Sequence, residues 1–324
     1  MAEYLVTGAA GFIASNVAEM LLRDGHAVVG VDNLNDYYDV GLKEHRIARL
    51  ETLEGFQFHR LDIEDAGAVA DLFKQHRFAA VLNLAARAGV HYSMVNPKVY
   101  FTTNTLGTLA LLDAVKESGV PKILLASTSS LYAGQEMPFS ESLAVNTPIS
   151  PYAASKKAAE LLAHSYHHLY GIDVSVMRYF TVFGPAGRPD MSIFRFIQQI
   201  DQGVPLTVYG DGSQSRDFTY VDDIARGTIA ALRPLGYEII NIGGGNRPVS
   251  IASIIGRIED LLGKKARIEH KPFHEADLMS SHADISKAKT LLDWEPQIAV
   301  EEGLVKTVEW YRENLPWSAT VPLT

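Results

Sequence analysis

The chain of 324 residues has no cysteine. Disulfides, thiolate metal sites and cysteine nucleophiles are excluded together. It has no excess of positive charge either; its formal net charge is −9 at pH 7. Nucleic acid and anionic membranes are therefore poor candidates for the main partner. A phosphorylated small molecule is not excluded, because a few local cations suffice for it. No apolar run approaches the ~18 residues needed to cross a bilayer. No repeat, low-complexity tract or long linker is evident. A strand pattern begins by Glu3, leaving no room for a signal peptide. A soluble, cytoplasmic protein is expected.

Hydrophobic residues make up 47% of the chain, an ordinary globular value. In the first half, short apolar runs alternate with amphipathic helical patterns. Strands are predicted at Tyr4–Thr7, Ala27–Val31, Phe56–Leu61, Ala80–Leu84, Ile123–Ala126 and Val174–Arg178, with helices such as Ile13–Arg23 and Thr105–Glu117 between them. Such alternation implies right-handed crossovers and a doubly wound parallel α/β sheet. Beyond Gly184 the alternation breaks. Short strands at Leu206–Tyr209, Ile239–Ile242 and Ala266–His270 suggest a smaller α/β lobe packed over the strand ends, where ligands of such sheets bind. The expected division is a dinucleotide-binding domain over residues 1–183, with an element returning near 215–245, and a substrate lobe over 184–324.

Thr7-Gly8-Ala9-Ala10-Gly11-Phe12-Ile13-Ala14 follows the first strand and opens a helix. Gly8 permits a tight turn, Gly11 lets the backbone approach a pyrophosphate, and Ala14 keeps helix and sheet close. The free N–H groups at the helix start favour phosphate. Asp32 ends the second strand, 21 residues after Gly11. A carboxylate there accepts from both ribose hydroxyls and repels a 2′-phosphate, so NAD is favoured over NADP. Asp62 and Ile63 end the third strand; Asp62 either meets the adenine or simply caps a loop. The small residues of Leu84-Ala85-Ala86 allow close approach of a cofactor after the fourth strand.

Tyr152 and Lys156 stand one helical turn apart in Tyr152-Ala153-Ala154-Ser155-Lys156. A tyrosine of pKa near 10 is a poor base at neutral pH. A nearby ammonium and an oxidised nicotinamide favour its phenolate. Thr128, after the fifth strand, is positioned to share a hydrogen bond with the same hydroxyl. Together these motifs indicate nicotinamide-dependent hydride chemistry with tyrosine as acid and base.

With these residues the chain resembles the extended short-chain dehydrogenase/reductases that act on nucleotide sugars, from the first strand to about Trp294. Within them it is most similar to the UDP-glucuronate 4-epimerase group. Three stretches carry the likeness: Asp32-Asn33-Leu34-Asn35-Asp36-Tyr37-Tyr38-Asp39; Arg178-Tyr179-Phe180-Thr181-Val182-Phe183-Gly184-Pro185 with Arg188-Pro189-Asp190-Met191; and Gly210-Asp211-Gly212-Ser213-Gln214-Ser215-Arg216-Asp217 running to Asp223. The resemblance implies catalysis by Tyr152, Lys156 and Thr128. It implies cofactor contacts from Gly8, Ala10, Gly11, Phe12, Ile13, Asp32, Asn33, Lys43, Asp62, Ile63, Leu84, Ala85, Ala86, Asn104, Ser127, Tyr179 and Val182, besides Tyr152 and Lys156. Ser129, Ser130, Thr181, Arg188, Tyr209, Gln214, Arg216 and Asp277 are implied on the sugar-nucleotide side, with Arg216 on the diphosphate and Asp277 on the uridine ribose. NAD would accept hydride from C4 and return it to the opposite face, ending as it began.

Decarboxylating and dehydrating relatives are expected to carry Glu, or Asp-Glu, where this chain has Ser129 and Ser130. Serines lack that acid/base capacity but hydrogen-bond a carboxylate, and Arg188 adds charge-assisted bonds. The expectation is that Arg188, Thr181 and Ser129 hold the uronate carboxylate out of the orientation that loses carbon dioxide. The alternatives are a UDP-glucose/UDP-galactose 4-epimerase, a UDP-glucuronate decarboxylase and a non-catalytic NAD-binding regulator. The resemblance also implies a homodimer through roughly Lys98–Glu117 and Tyr152–Tyr170. Two departures stand out: His91 and His274 occupy positions where relatives often have arginine. His164, His167 and His168 have helical spacing but no evident third ligand, and no metal is expected. Lys43, Arg46 and Arg49, interleaved with Glu44 and Glu51, read as a solvated helix face from which Lys43 can approach the cofactor.

Overall fold

The computed structural model describes residues 1–245, 248–273 and 278–323. Its strands in chain order are β1 (Glu3–Thr7), β2 (Ala27–Asp32), β3 (Phe56–Arg60), β4 (Ala80–Asn83), β5 (Lys122–Thr128), β6 (Asp173–Tyr179), β7 (Thr181–Phe183), β8 (Pro205–Tyr209), β9 (Ser215–Arg216), β10 (Phe218–Tyr220), β11 (Tyr237–Ile242), β12 (Val249–Ser250) and β13 (Arg267–Lys271). Seven of them form one parallel sheet in the order β11-β6-β5-β4-β1-β2-β3. The order reverses between β1 and β4, the switch point at which such sheets bind ligands.

Alternation along the strands feeds two cores. Val6, Leu124 and Ala126 face the layer containing Val17 and Leu21 of the helix Phe12–Arg23 and Ile224 of the helix Val221–Ala230. Leu5, Ile123 and Leu125 face the opposite layer, with Leu72, Leu111 and Ala159 of the helices Ala66–Gln75, Thr108–Ser118 and Pro151–Tyr170. A third core, including Phe196, Leu206, Ile254 and Tyr311, gathers the later chain around the parallel pair β8–β13.

Ile239–Ile242 lies within the span 215–245, where an element of the first domain is expected to return. It extends to Tyr237–Ile242 and becomes the edge of the main sheet, register-paired with β6. The helix Val221–Ala230 supplies the crossover that returns the chain there. The helix expected over Thr105–Glu117 is a π-helical segment, Thr102–Gly107, followed by an α-helix, Thr108–Ser118. The helix Val40–Glu51 is not the solvated face its charges suggest. Lys43 and Arg46 are both buried, and Arg46 donates to the carbonyls of Ala186 and Ala10 and to the Tyr38 hydroxyl. Its guanidinium ties the glycine-rich turn to the loop at Ala186.

Candidate active site

The turn after β1 is built for close approach. Gly8 has φ +70°, and a Cβ added there would lie 2.8 Å from Ala85 Cα. Gly11 donates its N–H to Gly8 O at 2.7 Å and starts the helix Phe12–Arg23 without a side-chain cap. The first helical N–H groups are thus left for a ligand. Asp32 accepts from the N–H of Ala10 (3.2 Å) and of Leu34 (2.8 Å), while burial pushes its carboxyl up. Asn33 donates to Asp62 Oδ2 at 2.7 Å, and Asp62 Oδ1 caps the N–H of Glu64.

One cavity brings together Gly8, Gly11, Asp32, Asn33, Lys43, Asp62, Ile63, Leu84, Ala85 and Ala86. Asn35, Tyr37, Tyr38, Arg87 and Thr103 also line it, and no role had been attached to them from the sequence. The signal for Arg87 was available: a cation directly after the small residues that follow β4. Other expected cofactor residues have partners within the protein. Asn104 spends its amide on Arg87 N and O and on Ser155 Oγ. Ser127 donates to Glu160 at 2.6 Å. The Tyr179 hydroxyl meets Thr228 at 2.8 Å inside the core. Val182 pairs with Thr219 in the β7–β10 ladder. Phe12 is packed beneath Arg46, while Ala10 gives its N–H to Asp32 and its carbonyl to Arg46. Ile13 packs against the first core.

Ser150 caps the helix Pro151–Tyr170 through the N–H of Ala153, and Pro151 occupies its first turn. Tyr152 is thereby fixed at the helix start. Burial pushes the pKa of its phenol up, and the neighbouring Thr128 opposes that shift. Lys156 is buried and donates to Ala126 O at 2.8 Å. Burial lowers its pKa to about 8, against the opposing pull of Glu160 one turn further on.

A second cavity is lined by Ser129, Ser130, Ser150, Thr181 and Arg216, with Val90, Ile149 and Leu278. It thus adjoins the cap of the tyrosine-bearing helix. Gln214 is buried, donates to Tyr209 O at 2.6 Å and keeps a buried Oε1 without a partner among the described residues. The Tyr209 ring lies 5.7 Å from that of His91. Asp277 and His274 lie outside the described residues. Arg188 does not join the serines: it lines the first cavity, pairs with Asp190 at both ends of the carboxylate, and donates to Ala88 O at 3.2 Å. Its charge is nonetheless felt at Tyr152. Among the described residues no group of three potential metal ligands occurs; His167 contacts the Ile172 carbonyl. No helix among them is long and apolar enough to cross a membrane.

A glycine cradle at the switch point, an acidic residue closing β2 and a Thr–Tyr–Lys group at the next cavity define a Rossmann-type enzyme of the tyrosine-dependent dinucleotide class. Residues 4–243 match the sequence profile of the NAD dependent epimerase/dehydratase family, and the chain belongs to that family. It is 60% identical to the UDP-glucuronate 4-epimerase of Thermodesulfobacterium geofontis over 97% of this chain and 98% of that protein. It resembles the Bacillus cereus UDP-glucuronic acid 4-epimerase solved with UDP-glucuronic acid and NAD, with a TM-score of 0.90 and 39% identity, covering 96% of this chain and 99% of that one. It also resembles the Thermotoga maritima UDP-glucose 4-epimerase solved with UDP-glucose, with a TM-score of 0.87 and 32% identity, covering 97% and 99%.

Proposed function

We propose that this chain is an NAD-dependent isomerase that interconverts UDP-glucuronate and UDP-galacturonate. The observation that carries the reading is Tyr152 with Thr128 and the buried Lys156 beside a cavity lined by Ser129, Ser130, Thr181 and Arg216, with hydroxyls where an acid/base carboxylate would be needed for other outcomes. NAD, which the glycine turn and Asp32 would hold, would supply the hydride acceptor and donor for C4 and positive charge beside the phenol. Tyr152 takes the proton of the 4-hydroxyl and gives it back after the 4-keto sugar has turned over. Thr128 orients the phenol, and the Lys156 ammonium favours the phenolate against the effect of burial.

Ser129, Ser130 and Thr181 hold the uronate carboxylate out of the orientation, perpendicular to the ring carbonyl, that releases carbon dioxide. Arg216 takes the diphosphate, Asp277 the uridine ribose, and Tyr209 and Gln214 flank the nucleotide. Arg188 reaches the carboxylate by turning away from Asp190. Residues 184–324 serve mainly as the sugar-nucleotide lobe. Exposed Leu106, Leu161, Leu169 and Tyr170 on the helices flanking β5 support a homodimer, which light scattering checks for mass.

Incubation with UDP-glucuronate and chromatographic separation of the products tests the assignment. UDP-galacturonate formed without loss of carbon dioxide is expected. A UDP-pentose product would make the chain a decarboxylase, and turnover of UDP-glucose alone would make it a galactose-type epimerase. Arg188→Ala is expected to lose product selectivity; unchanged kinetics would remove Arg188 from the carboxylate site.

A further inference from the structure

Arg87 and Asn35 lie on the loops that follow β4 and β2. These strands flank β1 in the sheet, and the end of β1 leads into the Gly8–Gly11 turn. Arg87 Nη1 donates to Asn35 Oδ1 at 3.0 Å, so this bond spans from one neighbour of β1 to the other, across the phosphate cradle. Both residues line the cofactor cavity.

Each end is anchored. The backbone N–H and carbonyl of Arg87 are held by Asn104 at 2.8 and 2.9 Å, and Asn104 in turn donates to Ser155 on the catalytic helix. Asn35 is bonded to Asn33 through its side-chain amide, and its carbonyl accepts from Lys43. The Arg87 guanidinium also lies over the Tyr37 ring, 5.8 Å from its centroid. No ion pair to Arg87 is present among the described residues, and one bond to Asn35 leaves further N–H donors on its fork. Arg87 and Lys43 both line the cavity that holds the glycine turn.

We propose that Arg87 and Asn35 form a clasp over the dinucleotide, with the spare guanidinium donors of Arg87 on its diphosphate. The clasp is a retention device that rests on the NAD reading. An enzyme that must return a hydride to the same sugar needs its cofactor to stay while reduced, and a bridge across the cradle slows its departure. Arg87 contributes both a charge-assisted bond and a steric bar.

The test is the release rate of labelled NAD from the purified protein, chased with unlabelled NAD and without any sugar nucleotide. Arg87→Gln is expected to release NAD at least tenfold faster, and Asn35→Ala several-fold faster. The double variant is expected to be little faster than Arg87→Gln, because both changes break one bridge. Arg87→Lys keeps a charge without the fork and is expected to fall between. A diphosphate contact also predicts that added salt speeds release from the native protein more than from Arg87→Gln. Release from Arg87→Gln within twofold of the native rate overturns the clasp while leaving the NAD assignment in place. A native protein that holds no NAD overturns both.

Discussion

Replacing Glu160 with glutamine tests the support beneath Lys156. Glu160 and Arg178 are each 1% exposed at the side chain. Arg178 holds the carboxylate with Nε at 2.9 Å and Nη2 at 2.8 Å, and Ser127 adds a bond at 2.6 Å. Burial alone would raise this carboxyl; the guanidinium and the serine outweigh it and keep it below the usual range. Glutamine removes the charge and leaves Arg178 buried against Tyr132 with no counter-ion. Removing one partner of such a pair costs about 3–5 kcal/mol, a large part of the roughly 5–15 kcal/mol that holds a typical domain folded. Urea unfolding of the NAD-free protein should register that loss. Glu160→Met combined with Arg178→Met should recover much of it, since no charge is then stranded. A Glu160→Gln loss below about 1 kcal/mol, well under the range for a broken buried pair, would refute the reasoning.

The same substitution has a chemical readout. Glu160 is what pulls the Lys156 pKa upward against burial. With the lysine titrating at about 8, turnover should fall as the pH rises past that value, because the ammonium that favours the Tyr152 phenolate is lost. In Glu160→Gln the fall should begin at lower pH. Between about 8 and 10.5 the folded state holds fewer protons at Lys156 than the unfolded chain, so this residue's contribution to stability increases as pH rises through that window. An alkaline limb that does not move in the variant would separate Glu160 from the lysine.

Gly8→Ala places a Cβ on a backbone of φ +70° and against Ala85 at 2.8 Å. The backbone conformation alone costs roughly 1–2 kcal/mol, and the displaced Ala85 should weaken NAD retention; an NAD titration matching the native protein would contradict the close approach. Asp32→Asn removes the charge that repels a 2′-phosphate and leaves one acceptor oxygen where Asp32 offers two, Oδ2 to Ala10 and Oδ1 to Leu34. NAD affinity should fall and discrimination against NADP should narrow, both read by equilibrium binding; unchanged discrimination would assign it to another residue.

The sequence alone determined the parallel sheet, the glycine turn, Asp32 and the Tyr152–Lys156 pair, because each rests on short-range rules. Strand alternation has a period of two, a helix puts residues four apart on one face, and a phosphate turn needs glycines at fixed offsets. The tertiary structure decided where side chains distant in sequence find their partners. Tyr179 turned to Thr228, Asn104 to Arg87, and Arg188 to Asp190. Arg46, charged and on a helix that reads as solvated, is buried because carbonyls of Ala10 and Ala186 converge on it from residues far apart in the chain. The edge position of β11 and the Arg87–Asn35 bridge have the same origin. They depend on which strands become neighbours, and a buried polar group takes the partner that this arrangement brings within reach.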